Sequence, residues 1–467
     1  MTVTADIGER ARAVFVALAP LLGVRLFNDA GDRLPYGYDN SRRQAMPDLV
    51  AFPESHAEVL AIVRACHEHG LPLIARGLGS GTAGAAVPVA GGLVLAMERM
   101  NRIVRIDAAN RVAVVQAGVT NADLQAAAGN EGFFWPPDPT SSAYSTVGGN
   151  LACNSAGPRA VKYGTPRDNT LGLRAIAGDG TELNCGVYTT KGVVGYDLTR
   201  LLIGSEGTLA VITEATLKLT PLQPAKHTLR ATFNDMTAAA SAVSRIMAQP
   251  VTPCALEFID AAAIAMIRDY AKTDLPADAG AMLLIEVDGE DEYLEAATQS
   301  VARAAEGDGL VELRRAGTAD ETRALWAARK ALSPALRKIA PKKINEDVVV
   351  PVSRMAELIG GLQALSRQYG ITIVNFGHAG NGNIHVNLLV DPDDARLMAV
   401  AGQCLNEVFA LVLKLGGTLS GEHGIGLVKK EFVGLEIEPG TLAMMRKIKT
   451  QFDPKGILNP GKFFPES

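Results

Sequence analysis

The sequence lacks the features of proteins that bind nucleic acid, span membranes or hold metals through cysteine. Its 45 Lys and Arg residues are fewer than its 50 Asp and Glu residues, so the net charge is −5 and no basic surface for a polyanion is expected. The five cysteines show no C-x-x-C spacing, which argues against an iron–sulfur cluster or a zinc ribbon and favours a reducing, cytoplasmic compartment. No apolar run approaches the roughly 20 residues of a membrane-spanning helix.

The length and composition predict an α+β protein of two or three domains. The chain has 467 residues, of which 48% are apolar, enough for that number of hydrophobic cores. The stretch Thr220–Pro224 contains two prolines and predicts a boundary between a first domain, residues 1–222, and a second, residues 223–420. A C-terminal segment, residues 421–467, follows. Strands and helices alternate in the second domain, which predicts an antiparallel sheet.

A glycine-rich loop, Arg76–Gly84, follows the short apolar strand predicted at Leu71–Ala75. Backbone N–H groups of such loops bind phosphate oxygens, so the loop favours a pyrophosphate. The next element, Gly91–Ala96, has the pattern of a strand, whereas a dinucleotide-binding βαβ unit requires a helix there. A P-loop is excluded because no Gly-Lys-Ser/Thr is present. A flexible surface loop is the alternative.

A second polar region begins after the rigid aromatic stretch Phe133–Pro139. The segments Ser145–Asn150 and Asn154–Gly157 carry hydroxyl, amide and glycine residues and show no helix or strand pattern. Such a region either wraps around a ligand or forms a long structural loop.

The apolar runs Ile371–Asn375 and Val386–Val390 flank a predicted hairpin. Asn381-Gly382 is the strongest two-residue turn signal in the sequence. With that turn, His378 pairs with His385, and their Cβ atoms lie about 5 Å apart on one face. Two imidazoles in this arrangement can bind one metal ion. A register shift of one residue would place them on opposite faces.

The glycine-rich turn Thr418–Gly426 contains Glu422 and His423. Two histidines and one carboxylate, with coordination positions left open, are typical of a catalytic metal site. The remaining histidine suits a base. The alternative is that all four are polar residues of glycine-rich turns.

Taken in order, these motifs resemble the FAD-dependent 2-hydroxy acid dehydrogenases of the vanillyl-alcohol oxidase superfamily, the group that oxidises D-lactate, glycolate and D-2-hydroxyglutarate. The resemblance extends from about Pro47 to Phe464. It implies a two-part FAD-binding domain of the p-cresol methylhydroxylase (PCMH) type, an α+β cap domain, and a C-terminal segment that returns to the FAD domain. It is carried by Arg76–Thr82, Pro136–Gly157, Tyr196–Thr213, His378–His385, Glu422-His423 and Asn459–Gly461.

The resemblance also implies which residues bind FAD. Some relatives attach the flavin to a histidine in the first loop, and this sequence has Ser80 there, so non-covalent FAD is expected. The implied FAD-binding residues are Arg76, Gly77, Gly79, Ser80, Gly81, Thr82, Pro137, Asp138, Thr146, Gly149, Asn150, Asn154, Gly157, Glu206, Gly207, Ile212 and Asn459.

The implied metal ligands are His378, His385 and Glu422, with His423 as the base. Zn²⁺ suits this ligand set best, and Mn²⁺ and Fe²⁺ also fit. Arg329 matches the arginine that binds the substrate carboxylate, and Asn387 matches a substrate-binding asparagine.

The far end of the substrate is less well defined by the resemblance. Relatives that oxidise 2-hydroxyglutarate have a threonine where this chain has Ser333 and a lysine where it has Asn345. Lys342 and Lys343 lie nearby in the sequence, and we expect Ser333 and Lys343 to face the substrate.

The resemblance implies oxidation of a D-2-hydroxy acid to the 2-oxo acid, with hydride transfer to the flavin. D-lactate is the first expectation, and D-2-hydroxyglutarate and glycolate are alternatives. A quinone, a cytochrome or an electron-transfer flavoprotein would accept the electrons. A cytoplasmic enzyme is expected, with peripheral attachment to the inner membrane and a homodimer left open. More distant readings are a zinc hydrolase and a non-catalytic FAD-binding subunit.

Overall fold

The computed structural model describes Thr2–Tyr270 and Leu275–Pro465 and divides into two compact units. The first unit consists of Met1–Ala156, Gly164–Leu222 and Glu422–Ser467, and the second of Gly157–Tyr163 and Gln223–Gly421. The sequence analysis had assigned Gly157–Tyr163 to the first domain, which is incorrect. Lys162 donates a hydrogen bond to the backbone oxygen of Asp288, and Tyr163 to its carboxylate, so the segment is bound to the second unit.

The first unit contains two principal sheets. A four-stranded sheet has the order β1-β2-β4-β3, and a five-stranded sheet has the order β5-β6-β10-β8-β9. Its strands are β1 (Leu26–Phe27), β2 (Leu49–Ala51), β3 (Leu73–Arg76), β4 (Leu93–Ala96), β5 (Ile103–Asp107), β6 (Val112–Gln116), β7 (Phe133–Phe134), β8 (Thr170–Ala177), β9 (Glu182–Gly186), β10 (Ala210–Lys218) and β11 (Thr220–Pro221). Its helices, numbered along the whole chain, are α1 (Thr2–Leu22), α2 (Ala30–Arg33), α3 (His56–His69), α4 (Asn121–Asn130), α5 (Val147–Cys153), α7 (Leu198–Leu202), α14 (Val433–Glu436) and α15 (Pro439–Phe452).

The C-terminal segment packs against the first unit through backbone hydrogen bonds. The N–H of Leu73 donates to the carbonyl of Ile457, and the N–H of Asn459 donates to the carbonyl of Leu73. The chain end therefore lies beside the strand that leads into the glycine-rich loop.

Helix α5 was not predicted from the sequence. Thr146 caps its N-terminus by accepting a hydrogen bond from the N–H of Gly149, and Asn154 ends it in the left-handed conformation with φ +55°. Gly148 and Gly149 both lie inside the helix, where glycine is unfavourable. The helix forms because Val147 and Leu151 are buried in the core, a tertiary contribution that the local sequence does not reveal.

The second unit is built on a seven-stranded antiparallel sheet with the order β15-β12-β14-β13-β17-β18-β16. Its strands are β12 (Ala225–Phe233), β13 (Ala255–Asp260), β14 (Ala281–Gly289), β15 (Leu310–Arg315), β16 (Lys342–Val349), β17 (Thr372–His378) and β18 (Asn383–Val390). Its helices are α6 (Ala160–Tyr163), α8 (Met236–Ala248), α9 (Ala261–Tyr270), α10 (Asp291–Ala305), α11 (Ala319–Ile339), α12 (Met355–Tyr369) and α13 (Ala395–Lys414).

Helices α9 and α11 cover part of one sheet face. Ile264 of α9 and Leu332 of α11 pack in one core cluster with Ile259, Val374 and Phe376 of the sheet. Because side chains alternate between faces along a strand, this face also carries the polar residues two positions away from these strand residues. The sheet therefore places an apolar core and a polar group of residues side by side on the same face.

The histidine hairpin has a different register from the predicted one. His385 pairs with Phe376, the turn contains a 3-10 helix at Ala379–Asn381, and Gly382 adopts the left-handed conformation with φ +72°. A side chain at Gly382 would overlap the carbonyl oxygen of Val350. Asn381-Gly382 is therefore not the two-residue turn, and the pairing of His378 with His385 is wrong. The shift is two residues, so both histidines keep the same face.

Among the described residues, one helix, α13, is long and apolar enough to cross a membrane by length and composition alone. Its residues Cys404, Val408, Phe409 and Val412 are buried, and 28% of its most apolar window is buried in all.

Candidate active site

Four neighbouring strands of the second unit place candidate residues on one sheet face. Glu257 pairs with His378 across β13 and β17. On β18, His385 pairs with Asp347 of β16, and Asn387 pairs with Asn345. His378 lies two residues beyond Phe376, the partner of His385, so the two histidines are diagonal neighbours. These pairings bring together residues more than 120 positions apart in the chain.

The two histidine rings are adjacent and almost completely buried. His378 is 6% exposed and His385 is 7% exposed. The ring centroids are 5.3 Å apart and the rings are nearly perpendicular. A ring nitrogen of each lies within 4.8 Å of the other's.

Glu257 is a functional candidate that the sequence analysis missed. It is 1% exposed, and its Oε1 lies 2.5 Å from Nδ1 of His378. Its Oε2 accepts hydrogen bonds from Nε of Arg329 at 2.7 Å and from Nη2 at 2.6 Å. Burial raises the pKa of Glu257, but the charges of His378 and Arg329 outweigh burial and lower it overall. A glutamate within the otherwise apolar strand ALEFI was the available signal.

Arg329 lies on α11, and its side chain contacts the sheet face that this helix covers. Its guanidinium lies 4.9 Å from the centre of the Phe376 ring, and its Nε edge faces Glu257. A guanidinium has a second edge, formed by Nη1 and Nη2, that can bind a carboxylate through two parallel hydrogen bonds. Because one edge is held and one face is stacked, the orientation of this second edge is fixed.

Asn387 is bound on every side by the protein. Its Nδ2 donates to the backbone carbonyls of Val374 and His385, each at 3.0 Å. Its Oδ1 accepts a hydrogen bond from Nδ2 of Asn345 at 2.7 Å. Asn387 is completely buried and Asn345 is half-buried, so the amide of Asn345 is the more accessible of the pair.

Two other substrate candidates lie on elements of the second unit. Lys343 is half-buried on β16. Ser333 lies within α11, which continues without a break to Ile339. The side chain of Ser333 lies outside the described residues.

Asp347 fixes the turn that leads to Glu422. Its Oδ2 accepts a hydrogen bond from the N–H of Gly421 at 2.9 Å, and its Oδ1 accepts one from the hydroxyl of Ser420 at 3.1 Å. A side chain at Gly421 would overlap the amide of Asn383, so glycine allows this close approach to β18. Glu422 is attached directly to Gly421, and its Cα therefore lies about 3.8 Å beyond it.

Glu422 and His423 are counted with the first unit. The backbone oxygen of Glu422 accepts a hydrogen bond from the hydroxyl of Ser155 at 2.7 Å. Both residues are half-buried.

In the first unit, the glycine-rich loop lies against the N-terminus of α5. A side chain at Gly77 would overlap the hydroxyl of Thr146, whereas one at Gly81 would meet no atom within 4 Å. Gly77 therefore allows the two segments to pack closely, and Gly81 borders open space. Ser80 and Thr82 are half-buried beside it.

The guanidinium of Arg76 lies beside Gly79 of the glycine-rich loop and also contacts the N-terminal segment. Its Nη1 donates to the carbonyl of Tyr38 at 2.6 Å, and the guanidinium lies 5.7 Å from the centre of the Tyr36 ring. Burial lowers the pKa of Arg76. These contacts bind the N-terminal segment, and the contact of Arg76 with phosphate stays a prediction.

The segment Pro137–Asn154 is held by bonds within the first unit. The carbonyl of Pro137 and Oδ1 of Asn150 both accept hydrogen bonds from Nδ2 of Asn121. The N–H of Asp138 donates to Ala156, and Oδ1 of Asn154 accepts from the N–H of Arg167. Gly157, which follows Ala156 in the chain, belongs to the second unit and has φ +77°.

Glu206 and Asn459 connect the remaining cofactor candidates. The buried carboxylate of Glu206 accepts hydrogen bonds from the N–H groups of Ile425 at 2.5 Å and Gly426 at 2.7 Å. Nδ2 of Asn459 donates to the carbonyls of Ala85 and Glu206. Gly207, with φ +69°, follows Glu206, and Ile212 lies in β10. The first-unit segments expected to bind FAD therefore converge.

Lys462 is an additional charged residue at this junction, which the sequence analysis did not select. Its Nζ donates to Oδ1 of Asn459. Burial lowers its pKa to about 7, although Asp39 and Glu206 act in the opposite direction.

Comparison with known proteins identifies the family of the chain. A family model described as "FAD linked oxidases, C-terminal domain" matches residues 222–463, and one described as "FAD binding domain" matches residues 47–186. The glycolate oxidase subunit GlcD of Bacillus subtilis is 39% identical over 99% of this chain and 97% of the relative. D-lactate dehydrogenase of Archaeoglobus fulgidus is 38% identical over 90% of this chain and 92% of the relative. D-2-hydroxyglutarate dehydrogenase of Stutzerimonas stutzeri is 31% identical over 94% of this chain and 96% of the relative.

Solved structures share the fold at low identity. p-Cresol methylhydroxylase has a TM-score of 0.79 at 16% identity, covering 98% of this chain and 96% of its own. A 4-ethylphenol oxidase from Gulosibacter chungangensis also has a TM-score of 0.79, at 18% identity, covering 98% of both chains. The fold is thus the two-domain PCMH-type fold, as predicted from the sequence. The chain belongs to the family of FAD-linked oxidases, and it is an FAD-binding oxidoreductase.

Proposed function

We propose that the protein oxidises a D-2-hydroxy acid to the 2-oxo acid, and that D-lactate is its preferred substrate. Relatives named for glycolate, D-lactate and D-2-hydroxyglutarate match nearly the whole chain, which supports FAD-linked oxidation of a 2-hydroxy acid. The observation that carries the proposal is the buried Glu257, which binds Arg329 and His378 at once. A carboxylate-binding cation and a metal-binding imidazole are thereby held beside each other.

Arg329 is assigned to the substrate carboxylate. Its Nη1/Nη2 edge would bind the carboxylate through two hydrogen bonds, each stronger than a neutral one. This contact fixes the substrate's orientation before reaction, which is a large part of catalytic advantage in such enzymes. The stacking on Phe376 and the contact with Glu257 keep the guanidinium in place.

His378, His385 and Glu422 are assigned to a divalent metal ion. Two observations support this assignment. The two rings are buried and adjacent, and two imidazoles with one carboxylate are a donor set that divalent ions bind. Zn²⁺ suits His₂Glu best, with Mn²⁺ and Fe²⁺ as alternatives. Such an ion, when bound, would act as a Lewis acid on the substrate hydroxyl.

His423 is assigned as the base that takes the hydroxyl proton. It directly follows the proposed ligand Glu422 in the chain. FAD, when bound, supplies the redox chemistry by accepting hydride from C2. Ser80 stands where some relatives carry a flavin-linked histidine, so the cofactor is proposed to be non-covalent.

The pair Asn345 and Asn387 favours a small substrate. The two amides bond to each other, and neither carries a positive charge for a second carboxylate. D-lactate or glycolate therefore fits this region better than D-2-hydroxyglutarate, unless Lys343 provides the charge. A quinone, a cytochrome or an electron-transfer flavoprotein is proposed as the electron acceptor.

The proposal is tested by turnover of D- and L-2-hydroxy acids with an artificial dye as acceptor. The panel should contain both lactates, glycolate and both 2-hydroxyglutarates. We expect D-lactate to have the highest kcat/KM. A preference for L-isomers, or a yellow protein that reduces no dye with any member, would reject the proposal.

A further inference from the structure

We infer that Glu257 is a positioning residue that couples the metal site to the substrate-binding arginine. The inference deepens the proposed function and rests on it. Glu257 touches neither the substrate nor the metal in this assignment. It acts through His378 and Arg329, which it holds with its two different oxygen atoms.

Glu257 fixes the tautomer of His378. A neutral imidazole carries one N–H, and the hydrogen bond made by one nitrogen determines which nitrogen can coordinate a metal. Oε1 of Glu257 lies 2.5 Å from Nδ1 of His378 and, as a carboxylate, can only accept. The proton therefore resides on Nδ1, and Nε2 is the coordinating atom. A carboxylate behind a metal-binding histidine also increases its basicity as a ligand.

Glu257 also orients the guanidinium of Arg329. Nε and Nη2 both approach Oε2 of Glu257, at 2.7 Å and 2.6 Å. This contact occupies the Nε side of the guanidinium and directs the Nη1/Nη2 edge elsewhere. The same carboxylate therefore sets the angle at which a substrate carboxylate is received.

Because Glu257 is buried, it requires both of its hydrogen-bond partners. An ionised side chain that is 1% exposed is tolerated only with compensating partners, and this one has a cation and an imidazole N–H. Both partners are donors. A glutamine at this position offers one acceptor and one donor group, so it can satisfy only one of them.

The experiment uses the FAD-loaded full chain, with Glu257→Gln as the test variant and Glu286→Gln as the matched control. Glu286 lies on the same sheet face and is 6% exposed. It also binds α11, accepting a hydrogen bond from Nε1 of Trp326 at 2.6 Å, but no contact joins it to His378 or Arg329 among the described bonds. Zn²⁺ affinity is measured by competition with a chromophoric chelator, and KM and kcat are measured with D-lactate.

We expect Glu257→Gln to weaken Zn²⁺ binding by roughly 10–100-fold and to raise KM, while Glu286→Gln stays within twofold of the wild type for Zn²⁺. An affinity for Zn²⁺ within twofold of the wild type in Glu257→Gln would overturn the inference. Equal losses in both variants would also overturn it, because they would indicate a general structural effect.

Two further measurements keep the outcome decisive. If Glu257→Gln does not fold, Glu257→Leu/Arg329→Met removes both buried charges and leaves no acceptor for Nδ1 of His378, so it should still lose Zn²⁺ affinity. Wild-type affinity in this double variant would refute the inference. A wild-type protein that oxidises no 2-hydroxy acid rejects the proposed function, whereas an active wild type with an unaffected Glu257→Gln rejects only the role of Glu257.

Discussion

The guanidinium of Arg329 lies 4.9 Å from the centre of the Phe376 ring, and Phe376 pairs with His385 on the neighbouring strand. The arginine assigned to the substrate is therefore stacked on the direct partner of a candidate metal ligand. The sheet register, and not sequence proximity, brings the two proposed functions together.

Arg329→Lys should lower kcat/KM for D-lactate by roughly 10–100-fold, mainly through KM. Lysine keeps the charge opposite Glu257 but loses the planar edge that binds a carboxylate at two points, a loss of roughly 1.5–3 kcal/mol. Arg323→Lys, at an exposed position on the same helix, is the control and should change nothing. Steady-state kinetics of both variants decides the matter, and an unchanged KM in Arg329→Lys would remove Arg329 from the substrate site.

Alanine at His378, His385 or Glu422 should each remove the metal, because two remaining ligands hold a divalent ion weakly against buffer. His227→Ala is a suitable control, since His227 lies on β12 of the same sheet and bonds to Thr298. Metal analysis of the purified variants is the measurement. Stoichiometric metal in His378→Ala or His385→Ala would contradict the paired-ligand assignment.

His423→Ala should behave differently from the ligand variants. The assigned base is lost while the ligands remain, so metal and FAD should be retained and turnover should fall by roughly 10²–10⁴-fold. Metal content and the rate of flavin reduction are measured on the same preparation. Loss of the metal would mean that His423 is a ligand and not the base.

Asp260 should make the second unit less stable as the pH rises from about 4 to 7. Burial raises the pKa of Asp260 to about 6 from 3.8, although hydrogen bonds from Ala263 and Asn375 act in the opposite direction. The folded state therefore binds more protons than the unfolded state between these values, and the contribution of Asp260 to stability is lost as the pH rises through 6. The effect is on the order of 3 kcal/mol.

The comparison that isolates this effect is Asp260→Asn, which cannot titrate. Thermal unfolding midpoints of the wild type and the variant are measured across this pH range. The wild type should lose stability relative to Asp260→Asn as the pH increases. Parallel profiles would show that the carboxyl titrates near its ordinary pKa.

The sequence predicted the fold well wherever local patterns were strong. The strand predicted at Gly91–Ala96 forms as β4, Leu93–Ala96, because its run of apolar residues is buried in the core. Helix α5 was missed, since its two glycines hide a helix that core packing stabilises. The prediction of a two-residue turn at Asn381-Gly382 was wrong. Gly382 packs closely against the carbonyl of Val350, which is a tertiary constraint. Local turn statistics do not contain it.

Only part of the candidate site could be predicted from the sequence. His378 and His385 could be grouped, since a hairpin keeps them on one face even with a shift of two residues. Glu257 and Asp347 could not, because their partners lie 121 and 74 positions away and only the strand order brings them together. The hydrogen bonds from Arg76 to the carbonyls of Tyr38 and Pro35 have no local signal in the sequence either.

The most direct test of the central claim is anaerobic reduction of the bound flavin, which needs no knowledge of the natural electron acceptor. Purified yellow protein is mixed with D-lactate or L-lactate in the absence of oxygen, and the flavin absorbance is followed. The account predicts rapid bleaching by D-lactate and little change with L-lactate. Bleaching by L-lactate alone, or none by any D-2-hydroxy acid, would contradict it.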